Sequence, residues 1–72
     1  MITAKEAYAL MIKANKGKII GMCEFSESFG FGVQTDDGQK AYRIDKNTKQ
    51  IDLLYGGELL REDPKEIDYS KL

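Results

Sequence analysis

The sequence has no histidine and no tryptophan, and it contains one cysteine and one proline in 72 residues. A single cysteine, Cys23, cannot close an intrachain disulfide, and a structural zinc site requires several cysteine or histidine ligands. A chain this short buries only about 60% of the surface that its unfolded form exposes, so its core alone gives a small margin of stability. We therefore expect one domain without disulfide or metal, for which self-association is a reasonable source of further stability.

An excess of charge of one sign is also missing, because 11 basic residues face 12 acidic ones and leave a formal net charge of −1. Proteins that bind nucleic acid draw much of their affinity from neutralising phosphates with basic residues. The charge balance therefore argues against nucleic acid as the partner. No apolar run approaches the roughly 18 residues that span a bilayer, and the first residues lack the pattern of a secretory signal. Together with the free cysteine, these features predict a cytoplasmic protein without a membrane segment.

The N-terminal segment carries the pattern of an amphipathic helix. Thr3 is suited to the N-cap position, and Glu6 three residues later completes a capping box. Gly17 follows the segment and is expected to end the helix, because glycine adopts the left-handed conformation of a C-cap without strain. The apolar residues between these signals recur with helical spacing along one stripe, at Ala7, Leu10, Met11 and Ala14.

After this helix the apolar pattern changes to the two-residue period of β-strands. Phe29, Phe31 and Val33 alternate with small or polar residues, which places three large apolar side chains on one face. Asp-Asp-Gly at residues 36–38 favours a tight hairpin turn, and a second turn is expected at residues 45–49. Strands are predicted at residues 18–25, 29–34, 40–45 and 51–55.

The predicted fold class is α+β. Residues 1–55 are expected to form a single domain in which the N-terminal helix packs on a four-stranded antiparallel β-meander, because short turns between successive strands make them antiparallel neighbours. Residues 56–72 begin with two glycines and contain the proline. They are expected to form a short C-terminal tail that is docked or partly ordered.

Residues suited to catalysis are scarce. Without histidine, general acid–base chemistry would have to use carboxylates, tyrosines, lysines or Cys23. Cys23 lies in a predicted strand with no evident base, so a small buried hydrophobe is its expected role. The carboxylates do not follow the spacing of a calcium-binding loop, and the lysines near element ends, such as Lys46 and Lys49, are expected to lie in solvated turns. We therefore predict no enzyme, no catalytic residue, no cofactor and no metal site.

Part of the sequence resembles the first strands of cold-shock-type OB domains. Gly-Lys-Ile-Ile-Gly at residues 17–21 is followed by Phe-Gly-Phe-Gly-Val at residues 29–33 and by Asp-Asp-Gly at residues 36–38. In that family, aromatic residues on neighbouring strands stack on bases, and glycines allow the bases to approach. The competing interpretation places the two phenylalanines of the second stretch in the core beneath the helix. The resemblance implies an alternative function, in which single-stranded nucleic acid binds a sheet surface through Phe25, Phe29, Phe31 and Tyr42.

A second resemblance covers residues 2–54. Thr-Ala-Lys-Glu-Ala at residues 3–7 is similar to the T-x-x-E-A opening of the helix in PepSY-type domains. Ile-Asp-Lys-Asn-Thr-Lys-Gln-Ile at residues 44–51 is similar to the V-D-x-x-T-G-x-I hairpin of that family, with Lys49 in place of the glycine. Small immunity proteins share this order of elements. The resemblance implies a non-catalytic α+β module that inhibits or recognises another protein.

The leading hypothesis is therefore a small protein-binding module, such as an inhibitor, an immunity-type protein or an accessory protein of a phage or mobile element. Glycines on the sheet face opposite the helix are expected to leave a flat region that a partner can approach. An uncovered edge strand can pair with a second copy, so a homodimer through a sheet edge or face is a further expectation. Glu24 and Asp45 are predicted to lie on the same face as the glycines. The residues predicted to bind protein are Gly30, Gly32, Gln34, Tyr42, Arg43 and Tyr55.

Overall fold

In the computed structural model, which describes residues 1–54 and 63–72, helix α1 spans Ala4–Ala14. It begins as predicted, because the Thr3 hydroxyl accepts a hydrogen bond from the Glu6 amide at 3.2 Å and the Glu6 carboxylate accepts one from the Thr3 amide at 3.3 Å. Each bond satisfies an amide that has no partner within the helix. The predicted capping box is confirmed.

The end of α1 differs from the prediction. Asn15, not Gly17, adopts the left-handed conformation, with φ 53° and ψ 49°, and its amide donates to the Ile12 carbonyl at 3.1 Å. Asparagine tolerates this conformation better than most residues that carry a side chain. Gly17 has a φ of 151°, and a Cβ there would lie 2.6 Å from the Gln34 carbonyl oxygen. Glycine is therefore required where the chain enters the first strand rather than at the helix end.

Within residues 1–54 and 63–72, five strands form one sheet in which all paired neighbours are antiparallel. The strands are β1 (Lys18–Glu24), β2 (Ser28–Thr35), β3 (Gly38–Asp45), β4 (Ile51–Leu54) and β5 (Lys65–Glu66). Their order across the sheet is β4-β3-β2-β1-β5, so the short fifth strand pairs with β1 at the edge opposite β4. The predicted α+β class and the meander of the first four strands are confirmed.

Helix α1 covers one face of this sheet. The helix contributes Ala7 and Met11, and β2 contributes Phe29, Phe31 and Val33; each is at most 2% exposed. Because alternate residues of a strand face opposite sides, β2 turns its glycines to the other face. The interpretation of Phe29 and Phe31 as core residues beneath the helix is confirmed. The remaining buried residues of this core are Ile2, Ile19, Met22 and Ile44.

A β-bulge in β1 changes which side chains face the helix. Ile20 and Gly21 together oppose the single residue Gly32. Strict alternation would place Glu24 on the face opposite the helix, which is where it was predicted. The extra residue reverses the alternation, so that Met22 enters the core and Glu24 faces the helix side. The predicted face for Glu24 is therefore wrong.

The C-terminal residues dock against β1 and α1. The Ile67 amide donates to the Met22 carbonyl at 3.0 Å, next to the pairing of β5 with β1. The Tyr69 ring, in a short 3-10 helix, then stacks on the Tyr8 ring of α1, with centroids 5.9 Å apart and ring planes at 21°. The described part of the predicted tail is thus docked, while the predicted domain boundary lies outside the described residues.

Candidate functional site

The sheet face opposite α1, called here the open face, carries four of the residues predicted to bind protein. Gly30 pairs with Arg43, and residues that pair directly share a face. Gly32 and Gln34 follow at alternate positions of β2 and therefore lie on the same face. Asp45 lies there too, because it occupies the alternate position of β3 from Arg43. The sequence pattern thus places these residues together.

Gly30 is not a flat, open position. A Cβ at this residue would lie 2.9 Å from the Cys23 sulfur and 2.9 Å from Cε2 of Phe25, so both side chains cover the glycine from within the chain. At Gly32 a Cβ would lie 3.6 Å from Cγ1 of Ile20, which is ordinary contact. The expectation that both glycines leave room for a partner is wrong for Gly30, because the chain's own aromatic ring occupies that room.

Cys23 carries the free thiol that covers Gly30 together with the Phe25 ring. Burial raises the pKa of the Cys23 thiol, and a hydrogen bond with the Gly30 backbone offsets only part of this effect. The thiol is therefore protonated near neutral pH, a state in which cysteine is a poor nucleophile. In the part of the chain that the structure describes, no three cysteine or carboxylate side chains converge as a metal site. No helix in that part has the length and apolar character to cross a membrane.

The aromatic residues of the nucleic-acid alternative do not share one surface. Phe29 and Phe31 are each 2% exposed beneath α1, so their rings cannot stack on a base. Tyr42 pairs with Phe31 on the same side and packs against the core. Phe25 lies on the other face, over Gly30. The placement of Phe29 and Phe31 on an exposed sheet surface, which this alternative requires, is wrong.

Lys46 is buried, contrary to the expectation of a solvated turn, and it is 6% exposed. Its Nζ atom lies 2.7 Å from a carboxylate oxygen of Glu24 and 4.9 Å from the centre of the Phe29 ring. Its amide donates to the Glu27 carbonyl, and its carbonyl accepts from the Ile2 amide, both at 3.0 Å. The ion pair, the cation–π contact and the two backbone bonds join the β3–β4 turn to the β1–β2 loop and to the N-terminus.

The β3–β4 turn is held by the carboxylate of Asp45. One of its oxygens accepts hydrogen bonds from the amides of Asn47 and Thr48, at 2.8 and 2.9 Å. The bond from Thr48, followed by that from Asn47, lowers the pKa of Asp45 because it favours the ionised form. Lys49 then adopts the left-handed conformation with φ 65°, a conformation that glycine takes with less strain. The turn that leads into β4 therefore contains one residue, Lys49, whose backbone conformation is strained.

Strand β4 forms the second edge of the sheet, and among the described strands it pairs only with β3. Leu53 pairs with Tyr42 and therefore faces the helix side, whereas Asp52 pairs with Arg43 and faces the open side. Leu53 is 39% exposed, although its neighbour Tyr42 packs against the core. Tyr55, which is predicted to bind protein, lies outside the described residues. This edge thus combines an outer side that no described strand covers with an exposed apolar side chain.

Helix α1 adds a further apolar side chain on the β4 side. The helix runs along the strands, from the β3–β4 turn to the start of β1. Tyr8 lies on the flank toward β5, where it contacts Tyr69. Leu10 is two residues later, about 160° around the helix axis, and therefore lies on the flank toward β4. We call Leu10, Tyr42 and Leu53 the apolar strip.

No protein-family model, curated protein or solved structure matches the chain. The sequence pattern did not single out Leu53 or Asp52, although the predicted meander already places the last of its four strands at an edge of the sheet. The pattern does not reveal that Leu53 is exposed there, or that β5 pairs with β1 at the opposite edge.

Proposed function

We propose that this chain is a non-enzymatic module that binds another protein by accepting an extended segment of it as an additional strand beside β4. The observation that carries the proposal is the β4 edge. Within the described residues β4 has one strand neighbour, and Leu53 is 39% exposed beside the partly buried Tyr42. Because proteins normally suppress apolar side chains at an unpaired edge, this arrangement supports a role in association.

Strand addition would use both the backbone groups and the side chains of β4. The backbone N–H and C=O groups of an edge strand give affinity, and the side chains at alternate positions give specificity. Residues of the added strand on the helix side would meet the apolar strip, and those on the open side would meet Asp52. Because β4 has only four residues, few backbone hydrogen bonds are available. We therefore expect the side-chain contacts to decide the affinity.

The resemblance to PepSY-type domains and small immunity proteins implies that this module inhibits or recognises its partner, as an inhibitor or an immunity-type protein does. An accessory protein of a phage or mobile element is a further form of the same proposal. Such a role requires a protein partner and no catalysis. We also propose a cytoplasmic location for the module. Its support is the free thiol of Cys23, since free thiols persist in compartments that keep cysteines reduced.

The proposal is tested by placing a photo-cross-linking amino acid at Leu53 of the full chain in its native host cells. The matched control places it at Ile20, which is 42% exposed and lies on the open face near the opposite edge. We expect a specific protein to be captured from Leu53 and not from Ile20. Mass spectrometry should place the cross-linked peptide in an extended segment of that protein.

A second variant separates binding from folding. Leu53→Lys places a charge on the apolar strip, and because Leu53 is partly exposed this change should alter the urea midpoint little. It should remove capture from a cross-linker at Leu10. Equal capture from Leu53 and Ile20, or capture from Ile20 alone, would contradict the proposed site. Absence of capture from every position would contradict the proposed function.

A further inference from the structure

Asp52 has acceptor capacity that its described neighbours do not fill. Its Oδ1 atom accepts a hydrogen bond from the side-chain amide of Gln50 at 3.1 Å. Its Oδ2 atom lies 3.9 Å from Nη2 of Arg43, which is beyond hydrogen-bond distance, and the Asp52 side chain is 42% exposed. An ionised carboxylate offers about four acceptor positions. A donor on a neighbouring strand can therefore bind Asp52 without displacing a close partner.

The position of Asp52 within β4 determines what an added strand must present. Residues that pair directly across two strands share a face. The residue opposite Asp52 would lie on the open side, and its two neighbours would lie on the helix side opposite Ile51 and Leu53. A cation satisfies the carboxylate, and apolar residues extend the burial of Ile51 and Leu53.

We infer that the partner supplies a segment with an alternating pattern, in which a lysine or arginine opposite Asp52 is flanked by two apolar residues. This inference rests on the proposed function, since it names the chemistry of the strand that β4 accepts. The chain as a whole has a formal net charge of −1, so no large field attracts cations in general. The preference is therefore local to Asp52, and it concerns one position of the added strand.

A second copy of this chain fits the edge less well. When two β4 strands pair around a two-fold axis, the helix sides of both copies lie on the same side of the joined sheet. Directly opposite residues must then share a face, and the two registers with the greatest overlap are centred on Asp52 or on Leu53. The first register sets two Asp52 carboxylates directly opposite each other, and like charges there are destabilising. The second sets Asp52 opposite Leu54 of the other copy. In neither register does a cation lie opposite the Asp52 carboxylate, whereas a partner strand with a basic residue at this position places one there.

The test titrates the full isotope-labelled chain with synthetic capped peptides that share an alternating apolar sequence and differ only at the central residue, which is lysine, threonine or glutamate. Chemical-shift changes at residues 51–54 report binding to β4. We expect the lysine peptide to bind about two- to five-fold more tightly than the threonine peptide, which is the size of effect that opposite charges give across paired strands. The glutamate peptide should bind most weakly.

Two variants assign the preference to the carboxylate. Asp52→Asn should make the lysine and threonine peptides equal, and Asp52→Lys should make the glutamate peptide the tightest. Equal binding of all peptides to residues 51–54 of the unmodified chain would overturn the inference and leave the proposed function standing. No shift at these residues with any peptide would overturn both. Concentration-dependent shifts there without peptide, together with a dimer mass by light scattering, would instead assign the edge to a second copy and overturn the inference.

Discussion

The two edges of the sheet are built differently. At the β1 edge, β5 pairs with the end of the strand, a bulge at Ile20 and Gly21 interrupts its middle, and Lys18 places a charge at its start. Each of these features discourages pairing with another chain. At the β4 edge, the described residues contain neither a bulge nor a further strand, and Leu53 is 39% exposed. The chain therefore closes one edge with its own C-terminal residues, while no described strand closes the other.

The closed edge also contributes to the stability of a small domain. Ile67 and Tyr69 both pack against the hydrophobic core, and Tyr69 stacks on Tyr8 of α1. These contacts join the C-terminal residues to α1 and bury further apolar surface. A small domain needs this burial, because its core alone gives a small margin of stability. Residues at the β1 edge thus contribute to the stability of the fold, whereas residues at the β4 edge are the ones that the proposed function assigns to a partner.

The largest expected effect comes from opening the closed edge. Tyr69→Ala removes the stacking on Tyr8 and the packing on the core, and we expect it to lower the free energy of unfolding by about 1–3 kcal/mol, as measured by urea denaturation. Tyr69→Phe keeps the ring and should cost much less. The amide of Ile67, which donates to β1, should exchange faster in Tyr69→Ala. Unchanged exchange would show that β5 closes the edge without this anchor.

A smaller effect is expected at the ion pair that connects the end of β1 to the turn before β4. Glu24→Gln leaves the buried ammonium of Lys46 without its carboxylate, and we expect a loss of about 1–2 kcal/mol in the free energy of unfolding. Lys46→Met should cost less, because the Glu24 side chain is 37% exposed and can be rehydrated. Urea denaturation of both variants checks this order. Equal losses would mean that packing, not the buried charge, dominates at this site.

A stabilising change is expected in the turn that leads into β4. Lys49 has a φ of 65°, which costs a residue with a Cβ more than it costs glycine. Lys49→Gly should therefore raise the free energy of unfolding by about 0.5–1 kcal/mol, because the relief of the left-handed strain exceeds the entropy that glycine loses on folding. Asn15→Gly is the matched control, since Asn15 also has a positive φ but belongs to a residue type that tolerates it. The gain at Asn15 should be smaller, and a larger gain there would contradict this explanation.

Local signals in the sequence were sufficient for the parts of the fold that depend on neighbouring residues. The capping box of Thr3 and Glu6 is encoded within four consecutive residues, and the alternation of Phe29, Phe31 and Val33 fixes the buried face of β2. The hairpin at residues 36–38 follows from Asp-Gly chemistry. The same alternation placed Gly30 and Arg43 on one face. Such features do not depend on the order of the strands in the sheet.

Apart from the end of α1, where Asn15 rather than Gly17 takes the left-handed conformation, the errors concern contacts that are not local in the sequence. The bulge that turns Glu24 toward the helix depends on how β1 fits β2, and no local signal distinguishes it from regular alternation. The burial of Lys46 requires both Glu24 and the Phe29 ring, which belong to two other strands. The cover over Gly30 comes from Phe25, beyond the end of β1. The pairing of β5 with β1 has no signal in the sequence for the same reason, since it joins residues that are distant along the chain.

The smallest effect that we predict is a pH dependence confined to the β4 side. The pKa of Asp45 is lowered in the folded chain by hydrogen bonds from the Thr48 and Asn47 amides. A carboxyl group whose pKa is lower in the folded than in the unfolded state stabilises the fold above its unfolded pKa, and this contribution is lost as the pH falls through the folded pKa. Asp45→Ala should remove this part of the acid dependence of the urea midpoint.

The same effect should be visible in the exchange of individual amides. As the pH is lowered, the amides of Asn47 and Thr48 should lose protection before that of Ile67 does. The first two bind the Asp45 carboxylate directly, whereas Ile67 donates to a backbone carbonyl of β1. Simultaneous loss at both places would mean that acid unfolds the sheet as one unit, and the two edges would then differ in their surfaces but not in their stability.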